Sequence, residues 1–496
     1  MESGKPYRYS PSLCEGIALA TELMESGKLY RYSAESDETC MVSRLCVLHF
    51  WRYSAESDET YMVSRCEKAL ADYTGHKYCV ALNSCGSAIF MALKCVGAQP
   101  GDKVLSNAFT FTAVPSAIVH ASCEPVYVEC TDNFLMDPEH LAEMADKSGA
   151  KFCLVSHMRG KVGDMDKISA ICKERGIIMV EDCAHSLGVS WKGEHSGHFG
   201  AMACISSQSY KMLNSGEGGF LLTNDDELAA KSILYAGAYE QLYRKHLLRP
   251  ADEIFERLKY ETPNYSLRMH AVSAAIVLPQ IATLDERIAV YNRRYVEVER
   301  RLNAIPHMTV PKQLEHVERR LNAIPHMTVP KQLEHVSPVC DSVQFTFDGL
   351  TEKMMEVFLQ QCRDHSVPGE VFLQECRDHS VPVEVFLQEC RDHGVPVEVF
   401  GARTNARYFR NWRYTAESMK QFDSLPKTEK VIQWTADVRL PLMFEDFDVM
   451  CTVLKEAMHK NISSQDEDLD VMCTDEDFDV MCTVLEEAMQ EALKPN

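Results

Sequence analysis

The sequence predicts an α/β fold with a mostly parallel sheet, followed by a smaller α+β domain. Between residues 63 and 235, short apolar runs alternate with stretches of helical periodicity. This spacing is typical of a parallel sheet with helices on both faces. Polar residues follow several of the apolar runs, which is where such sheets bind ligands. After residue 283 the alternation gives way to a long helical stretch and isolated extended segments.

The first predicted helix, Val63–Tyr73, has helical apolar spacing and ends at Gly75, a residue type that often follows a helix. Tyr78–Leu82 is predicted as a buried strand, and residues 83–88 as a turn into the helix Ala88–Val96. Further strands are predicted at Lys103–Ser106, Pro125–Glu129, Phe152–Ser156, Ile177–Glu181, Ala201–Ser206 and Gly219–Thr223, and further helices at Ala113–Ala121, Pro138–Ala145, Met165–Arg175 and Asp226–Tyr235.

The C-terminal third predicts a second domain with a helix at Leu284–Asn303 and extended segments at Ser342–Phe347 and Val431–Leu442. The predicted organisation is therefore an N-terminal segment over residues 1–65, a large domain over 66–283 and a small domain over 284–496.

Composition limits the classes of partner. The formal net charge of −22 argues against nucleic acid or an anionic membrane surface. The sequence shows no secretory signal and no apolar stretch of the roughly 20 residues that a membrane span needs. The 20 cysteines are scattered without a CxxC pair, which favours reduced thiols in a cytoplasmic protein. We single out no metal site.

Near-identical repeats interrupt the chain outside residues 66–297. Their periods differ, which is atypical of a solenoid, whose repeats share one period and diverge in sequence. We favour duplicated segments, from a recent genomic event or an error in the gene model; an expanded loop or interaction module is the alternative. The repeated pairs are Met1–Ser10 with Met24–Ser33, Arg31–Arg44 with Arg52–Arg65, Val298–His316 with Val317–His335, and Glu445–Leu454 with Glu476–Leu485, and a 14-residue unit occurs three times in Val357–Glu398.

Lys211 lies in a run of small hydroxylated residues, SSQSYK, and is followed by the turn sequence GEGG. Asp182 follows an apolar strand. A lysine, a strand-end aspartate and nearby hydroxyls are the groups needed to hold pyridoxal phosphate. The lysine would bind the aldehyde, and burial would depress its pKa. The aspartate would pair with the protonated pyridine nitrogen. Taken alone, a lysine such as Lys211 is usually a surface residue. For Asp182 the alternative is the N-cap of a following helix.

Other residues fit the same cofactor. Gly86 and Ser87 open a helix, where free N–H groups favour a phosphate. Ser206 offers a second phosphate hydroxyl. Phe111 is a candidate to stack on the pyridine ring or, equally, a core residue. His185 could face the ring or orient Asp182, although a lone histidine is more often structural.

These residues lie in blocks that resemble the DegT/DnrJ-type sugar aminotransferases. The blocks NSCGSA, FTFTAVPSAIVHASCEPVYVE, EDCAH and SYK…GEGG occur in the family's order. The resemblance covers about Tyr53–Leu302 and resumes more weakly over Val385–Met458. It implies a three-layer large domain of the PLP-transferase fold type I.

The resemblance also implies roles for individual residues. Lys211 would be the Schiff-base lysine, Asp182 the partner of the pyridine nitrogen, and His185 a neighbour of the ring. Phe111 would stack on the ring, and Gly86, Ser87 and Ser206 would bind phosphate. Asn264, before Arg268-Met269, matches with a longer spacing the asparagine that reaches the cofactor of the neighbouring subunit in a homodimer. The extra repeat copies have no counterpart in the family.

The leading hypothesis is the transfer of an amino group from glutamate or glutamine to a nucleotide-linked keto-sugar or to a keto-cyclitol. A sugar dehydratase that also depends on pyridoxal phosphate is an alternative. Lys211 counts against it, because the dehydratase relatives of the family typically have histidine at that position. A second alternative is a non-catalytic protein that binds pyridoxal phosphate but is impaired by the duplications.

Overall fold

The computed structural model describes residues 16, 18–21, 61–239, 241–302, 327–328, 335–339, 342–347, 397–400, 405–415, 418–433 and 435–439. The chain divides into two compact units. The first comprises residues 1–289, 333–339 and 409–428, and the second comprises 290–332, 340–408 and 429–496. The predicted domain bounds remain predictions, and most of the duplicated segments lie outside the described residues. Within the described ranges, no helix is long and apolar enough to cross a membrane.

Strands and helices follow one another through residues 62–281. The sequence pattern predicts those up to residue 236, apart from two short strands at Ser190–Trp191 and Glu194–His195, and it misses the two helices that follow. In chain order these elements are α1 (Met62–Thr74), β1 (Tyr78–Leu82), α2 (Cys85–Cys95), β2 (Lys103–Asn107), α3 (Ala113–His120), β3 (Glu124–Val128), α4 (Pro138–Ser148), β4 (Phe152–Ser156), α5 (Met165–Glu174), β5 (Ile178–Asp182), β6 (Ser190–Trp191), β7 (Glu194–His195), β8 (Met202–Ser206), β9 (Gly219–Thr223), α6 (Asp226–Ala236), α7 (Asp252–Leu258) and α8 (Ala271–Ile281).

A seven-stranded sheet with the order β1-β9-β8-β5-β4-β2-β3 forms the centre of the first unit. Strand β9 runs antiparallel to its neighbours β1 and β8, and the other adjacent pairs are parallel. Six strands therefore point the same way and end at the same edge of the sheet. The sequence pattern predicts the mostly parallel sheet but not the reversed β9, because a buried apolar run looks alike in either direction.

Both faces of this sheet are buried. Val80, Val180 and Leu221 belong to a core cluster with the apolar residues of α2, α3 and α6. Their strand neighbours Cys79 and Met179 are buried as well, and successive side chains of a strand point to opposite faces. Burial on both faces explains why these strands are continuous apolar runs rather than alternating ones.

Local signals set the ends of the helices. Helix α1 ends at Gly75, whose φ of 78° lies in the left-handed region. Asp137 is the N-cap of helix α4, and its carboxylate accepts a 3.0 Å hydrogen bond from the Glu139 N–H. One prediction needs correction here. Helix α2 begins at Cys85 rather than Ala88, so Gly86 and Ser87 form its first turn instead of preceding it.

Strand β3 lies at the edge of the sheet, and Gln421, almost 300 residues further along the chain, binds this edge. The Gln421 side chain accepts a hydrogen bond from the Tyr127 N–H (2.9 Å) and donates one to the Pro125 carbonyl (3.1 Å). An amide side chain thus replaces a neighbouring strand, which protects an edge that could otherwise pair with another chain.

The remaining elements follow residue 283. They are α9 (Leu284–Leu302), β10 (Met327–Thr328), β11 (Val336–Ser337), β12 (Ser342–Phe347), β13 (Val397–Val399), α10 (Pro426–Gln433) and β14 (Thr435–Arg439). Strands β10, β12, β14 and β13 form an antiparallel sheet in the second unit. The predicted extended segment Val431–Leu442 was therefore too long at its start: Val431–Gln433 end a helix, and the strand begins at Thr435.

Candidate active site

The carboxyl ends of the parallel strands gather polar side chains at one edge of the sheet. Strands β2, β4, β5 and β8 end at Asn107, Ser156, Asp182 and Ser206. All four residues are buried. Such an edge is where open α/β sheets bind ligands.

Asp182 is the carboxylate at this edge. Its Oδ2 accepts a 2.7 Å hydrogen bond from the Ser156 hydroxyl. Its Oδ1 accepts a hydrogen bond from the Ala184 N–H (3.1 Å) and lies 3.9 Å from the Cys85 sulfur. Asp182 is therefore the last residue of a strand with a fixed side chain, not the N-cap of a following helix. Both oxygens keep acceptor capacity for a cationic N–H.

Lys211 and His185 meet directly: the lysine Nζ lies 2.7 Å from His185 Nε2. His185 is buried, whereas Lys211 is half-buried. A buried imidazole in contact with a lysine is more than a core histidine, because it can orient the amine and exchange a proton with it.

The first turn of α2 lies next to Asp182. Ser84 caps this helix: its Oγ accepts from the Ser87 N–H (3.0 Å) and donates to the Ser87 hydroxyl (2.9 Å). Burial and then Asp182 raise the pKa of the Cys85 thiol, whereas Lys211 lowers it. Asp182 and Lys211 therefore both act electrostatically on the first residue of α2, as a shared site requires.

The glycines of the GEGG turn allow β9 to approach this helix start. A Cβ on Gly219 would lie 2.4 Å from the carbonyl carbon of Ser84 and 2.5 Å from the amide nitrogen of Cys85. Only glycine permits such proximity to backbone. A Cβ on Gly218 would lie 2.3 Å from the Ser207 hydroxyl. The motif thus seats the start of α2 against the sheet.

The remaining predicted residues are Ser206, Phe111 and Asn264. Ser206 ends β8, and its hydroxyl accepts a 3.3 Å hydrogen bond from the Gln208 N–H. Phe111 precedes α3 and is 43% exposed. This exposure rules out the alternative that Phe111 is a core residue. Asn264 lies in an exposed turn, where its Oδ1 accepts from the Ser266 N–H (2.7 Å).

Sequence reasoning missed part of the arrangement, including Asn107, Thr110, Ser156 and Cys85. Ser156 had one available signal, since it is the last residue of a predicted strand. Its contact with Asp182 was not predictable, because it depends on β4 and β5 being paired in register, Ser156 opposite Asp182.

Glu181 is on the other face of β5 and forms a separate buried cluster. Its carboxylate accepts from His157 Nε2 (2.9 Å) and from the backbone N–H groups of Gly197 (2.9 Å), Phe199 (2.8 Å) and Gly200 (2.7 Å). Burial opposes its ionisation, but His157 and these N–H groups outweigh burial and lower the pKa of Glu181.

The same cluster has the composition of a metal site, since His157, Glu181 and Cys183 place potential ligand atoms within 4.8 Å of one another. However, four donors occupy the roughly four lone-pair positions of the Glu181 carboxylate. We therefore interpret the cluster as structural: it ties the loop before β8 to β5.

The chain is similar to known proteins of one family. The model of the DegT/DnrJ/EryC1/StrS aminotransferase family matches residues 57–367, more than half of the chain. The spore coat polysaccharide biosynthesis protein SpsC of Bacillus subtilis is 34% identical over 222 residues, which are 44% of this chain and 56% of that protein. GDP-perosamine synthase of Caulobacter vibrioides is 30% identical over 48% of this chain and 60% of that protein.

The chain thus matches less than two thirds of the length of these relatives. Among solved structures, the aminotransferase from Psychrobacter cryohalolentis superimposes with a TM-score of 0.63 over 92% of this chain and all of that one, at 16% identity. This likeness establishes the fold, which is that of fold type I aminotransferases, as expected. Together with the match of the family model, it shows that the chain belongs to the DegT/DnrJ/EryC1/StrS aminotransferase family.

Proposed function

We propose that the protein is a pyridoxal-phosphate-dependent aminotransferase. It would transfer an amino group from glutamate or glutamine to a nucleotide-linked keto-sugar or to a keto-cyclitol. The observation that carries this proposal is the contact between Lys211 and His185 at the sheet edge that holds Asp182. Membership of the family supports the reaction class, and a relative named GDP-perosamine synthase supports a nucleotide-linked substrate.

The residues present fit the cofactor. Asp182 offers a fixed carboxylate to a pyridinium N–H, and Lys211 offers an amine to an aldehyde. The start of α2 offers the backbone N–H of Gly86 and the hydroxyl of Ser87 to a phosphate, and Ser206 offers a second hydroxyl. The approach of Gly219 to the Ser84–Cys85 peptide keeps this helix start in place.

When bound, pyridoxal phosphate supplies an electrophilic aldehyde and a ring that takes up negative charge. Asp182 would keep a proton on the ring nitrogen. Lys211 would hold the cofactor through its amine, and the Nζ would move a proton to or from the substrate carbon. His185 orients that Nζ and shares its proton. Phe111 would stack on the ring.

We further propose a homodimer in which Asn264 reaches the cofactor of the neighbouring subunit. Two exposed aromatic residues of the first unit support the dimer, because a partner subunit could cover them. Tyr210, directly before Lys211, is 77% exposed, and Tyr260 is 85% exposed. The ten cysteines of the described ranges are all free thiols, and nine are buried. Free thiols favour a reducing compartment, which we propose is the cytoplasm.

The test of the proposed function uses the full chain loaded with pyridoxal phosphate. Borohydride reduction followed by peptide mass spectrometry should locate the cofactor on Lys211. In Lys211→Ala the label should disappear, and turnover should fall by roughly 10³-fold or more because both attachment and proton transfer are lost. Lys151→Ala, which removes an exposed lysine, is the matched control and should keep both.

Label on another lysine, or full turnover in Lys211→Ala, would contradict the assignment. Turnover is measured with glutamate or glutamine as donor against a panel of nucleotide-linked keto-sugars and keto-cyclitols. A chain that carries the label but exchanges no amino group with any donor would indicate a non-catalytic protein that binds pyridoxal phosphate.

A further inference from the structure

The Ser156 hydroxyl is the middle of a buried hydrogen-bond chain that ends at Asp182. Thr110 Oγ1 donates to Ser156 Oγ, and Ser156 Oγ donates to Asp182 Oδ2, each over 2.7 Å. Ser156 is 1% exposed, and Thr110 and Asp182 are buried with it. These hydrogen bonds link the segment before α3 to β4, and β4 to β5.

The donor and acceptor roles in these hydrogen bonds follow from the single proton on each hydroxyl. Ser156 has one hydroxyl proton and two candidate acceptors, the Asp182 carboxylate at 2.7 Å and the Met158 sulfur at 3.8 Å. The charged oxygen at the shorter distance is the stronger acceptor. Thr110 then supplies the proton that Ser156 accepts, so the Ser156 hydroxyl is held towards Asp182.

Asn107 fixes the backbone of the same residue. Its amide nitrogen donates to the Ser156 carbonyl (3.1 Å), and its amide oxygen accepts from the Ser156 N–H (2.9 Å). Both bonds are buried, so they are shielded from water. Ser156 can therefore neither move along its strand nor turn its hydroxyl away without breaking buried hydrogen bonds.

We propose that Ser156 is a positioning residue, which holds the Asp182 carboxylate in the orientation that pairs with the pyridine nitrogen. Thr110 extends this role, because it immediately precedes Phe111, the residue proposed to cover the ring. One hydrogen-bond chain would thus set two groups that flank the same cofactor. The inference rests on the proposed function, since it assumes that Asp182 meets pyridoxal phosphate.

Ser156→Ala is the direct test and removes the donor to Asp182. We expect affinity for pyridoxal phosphate, measured by absorbance titration of the cofactor-free full chain, to fall roughly tenfold to hundredfold, the cost of one hydrogen bond to a charged group. We also expect kcat to fall with little change in KM for the sugar. The pH at which the absorption band of the bound cofactor changes should shift, because a less fixed carboxylate protects the ring proton less well.

Two further variants and a control separate positioning from general packing. Ser156→Thr keeps the hydroxyl and should restore most of the affinity. Thr110→Val removes only the outer donor and should give a smaller loss in the same direction. Ser106→Ala is the matched control, since Ser106 is a buried serine of the neighbouring strand β2 whose hydroxyl has no partner among the described residues. It should leave cofactor affinity and the pH response unchanged.

The outcomes distinguish this inference from the proposed function. If the unaltered chain does not bind pyridoxal phosphate on Lys211, the proposed function fails. If it does, and Ser156→Ala matches Ser106→Ala in affinity, kcat and pH response, only the role of Ser156 is wrong. An affinity loss that Ser156→Thr does not restore, with the pH response unchanged, would likewise overturn positioning in favour of packing.

Discussion

The side-chain nitrogen of Lys211 lies 2.7 Å from Nε2 of His185. Lys211 lies in the segment after β8, and His185 in the segment after β5. A charged lysine can only donate hydrogen bonds, so Nε2 is the acceptor when Lys211 carries its proton. His185 thereby sets both the position of the amine and the direction in which its proton points.

Replacing His185 by Ala should lower kcat by roughly tenfold to hundredfold, because the hydrogen bond that orients Lys211 is lost. His185→Gln keeps an acceptor and should lose less. The measurement is steady-state turnover with the best donor and acceptor pair. His120→Ala, at an exposed position that ends α3, is the control. Equal turnover in His185→Ala and in the control would show that the contact has no role in the reaction.

Gly219→Ala should weaken cofactor binding by displacing the start of α2. The added Cβ would lie 2.4 Å from backbone at Ser84, and backbone cannot yield as a side-chain tip does. We expect at least tenfold weaker binding of pyridoxal phosphate and about 1–3 kcal/mol lower stability. Gly163→Ala is the control, since its Cβ would meet side chains rather than backbone: the end of Ile168 at 3.0 Å and the Cβ of Leu135 at 4.0 Å. Unchanged binding in Gly219→Ala would argue against a phosphate site at α2.

Glu181→Gln should destabilise the first unit without touching the proposed cofactor groups. The carboxylate accepts four hydrogen bonds, three of them from backbone N–H groups between Gly197 and Gly200. An amide presents an NH₂ group where an acceptor is needed, which leaves buried donors unsatisfied. We expect a loss of about 3 kcal/mol in the free energy of unfolding, measured by urea denaturation. The exposed Glu217→Gln should change it by less than about 0.5 kcal/mol.

Stability should fall in mild acid because of His76. Burial and, second, the neighbouring His198 lower its pKa from 6.5 to about 4. The rings of His76 and His198 stack with centroids 3.8 Å apart. Below pH 6.5 the unfolded chain binds a proton that the folded chain does not, so stability is lost progressively as the pH falls towards about 4. The loss is on the order of 3 kcal/mol.

The variant His76→Gln should flatten this pH dependence, whatever its effect on stability at neutral pH. The slope of unfolding free energy against pH, between pH 7 and 4, is the measurement. His120→Gln should keep the slope of the unaltered chain, because His120 is exposed. An unchanged slope in His76→Gln would show that another group binds the proton.

The sequence by itself predicted the order of the main strands and helices between residues 62 and 236, and it nominated most residues of the candidate site. Strands such as Tyr78–Leu82 and Gly219–Thr223 follow the predicted bounds, since a buried strand must be an apolar run between turn residues. Lys211 and Asp182 were recognisable because their residue types, local motifs and strand-end positions are set along the chain.

Only the tertiary structure decided which side chains meet. The reversed β9, the pairing of Ser156 with Asp182 and the cover of Tyr127 by Gln421 all join segments distant in sequence. Such contacts depend on strand order and register, and a shift of one residue would turn every side chain of a strand to the other face. Local residue types set the strands and turns, but the geometry that fixes Asp182 arises only when the strands are packed.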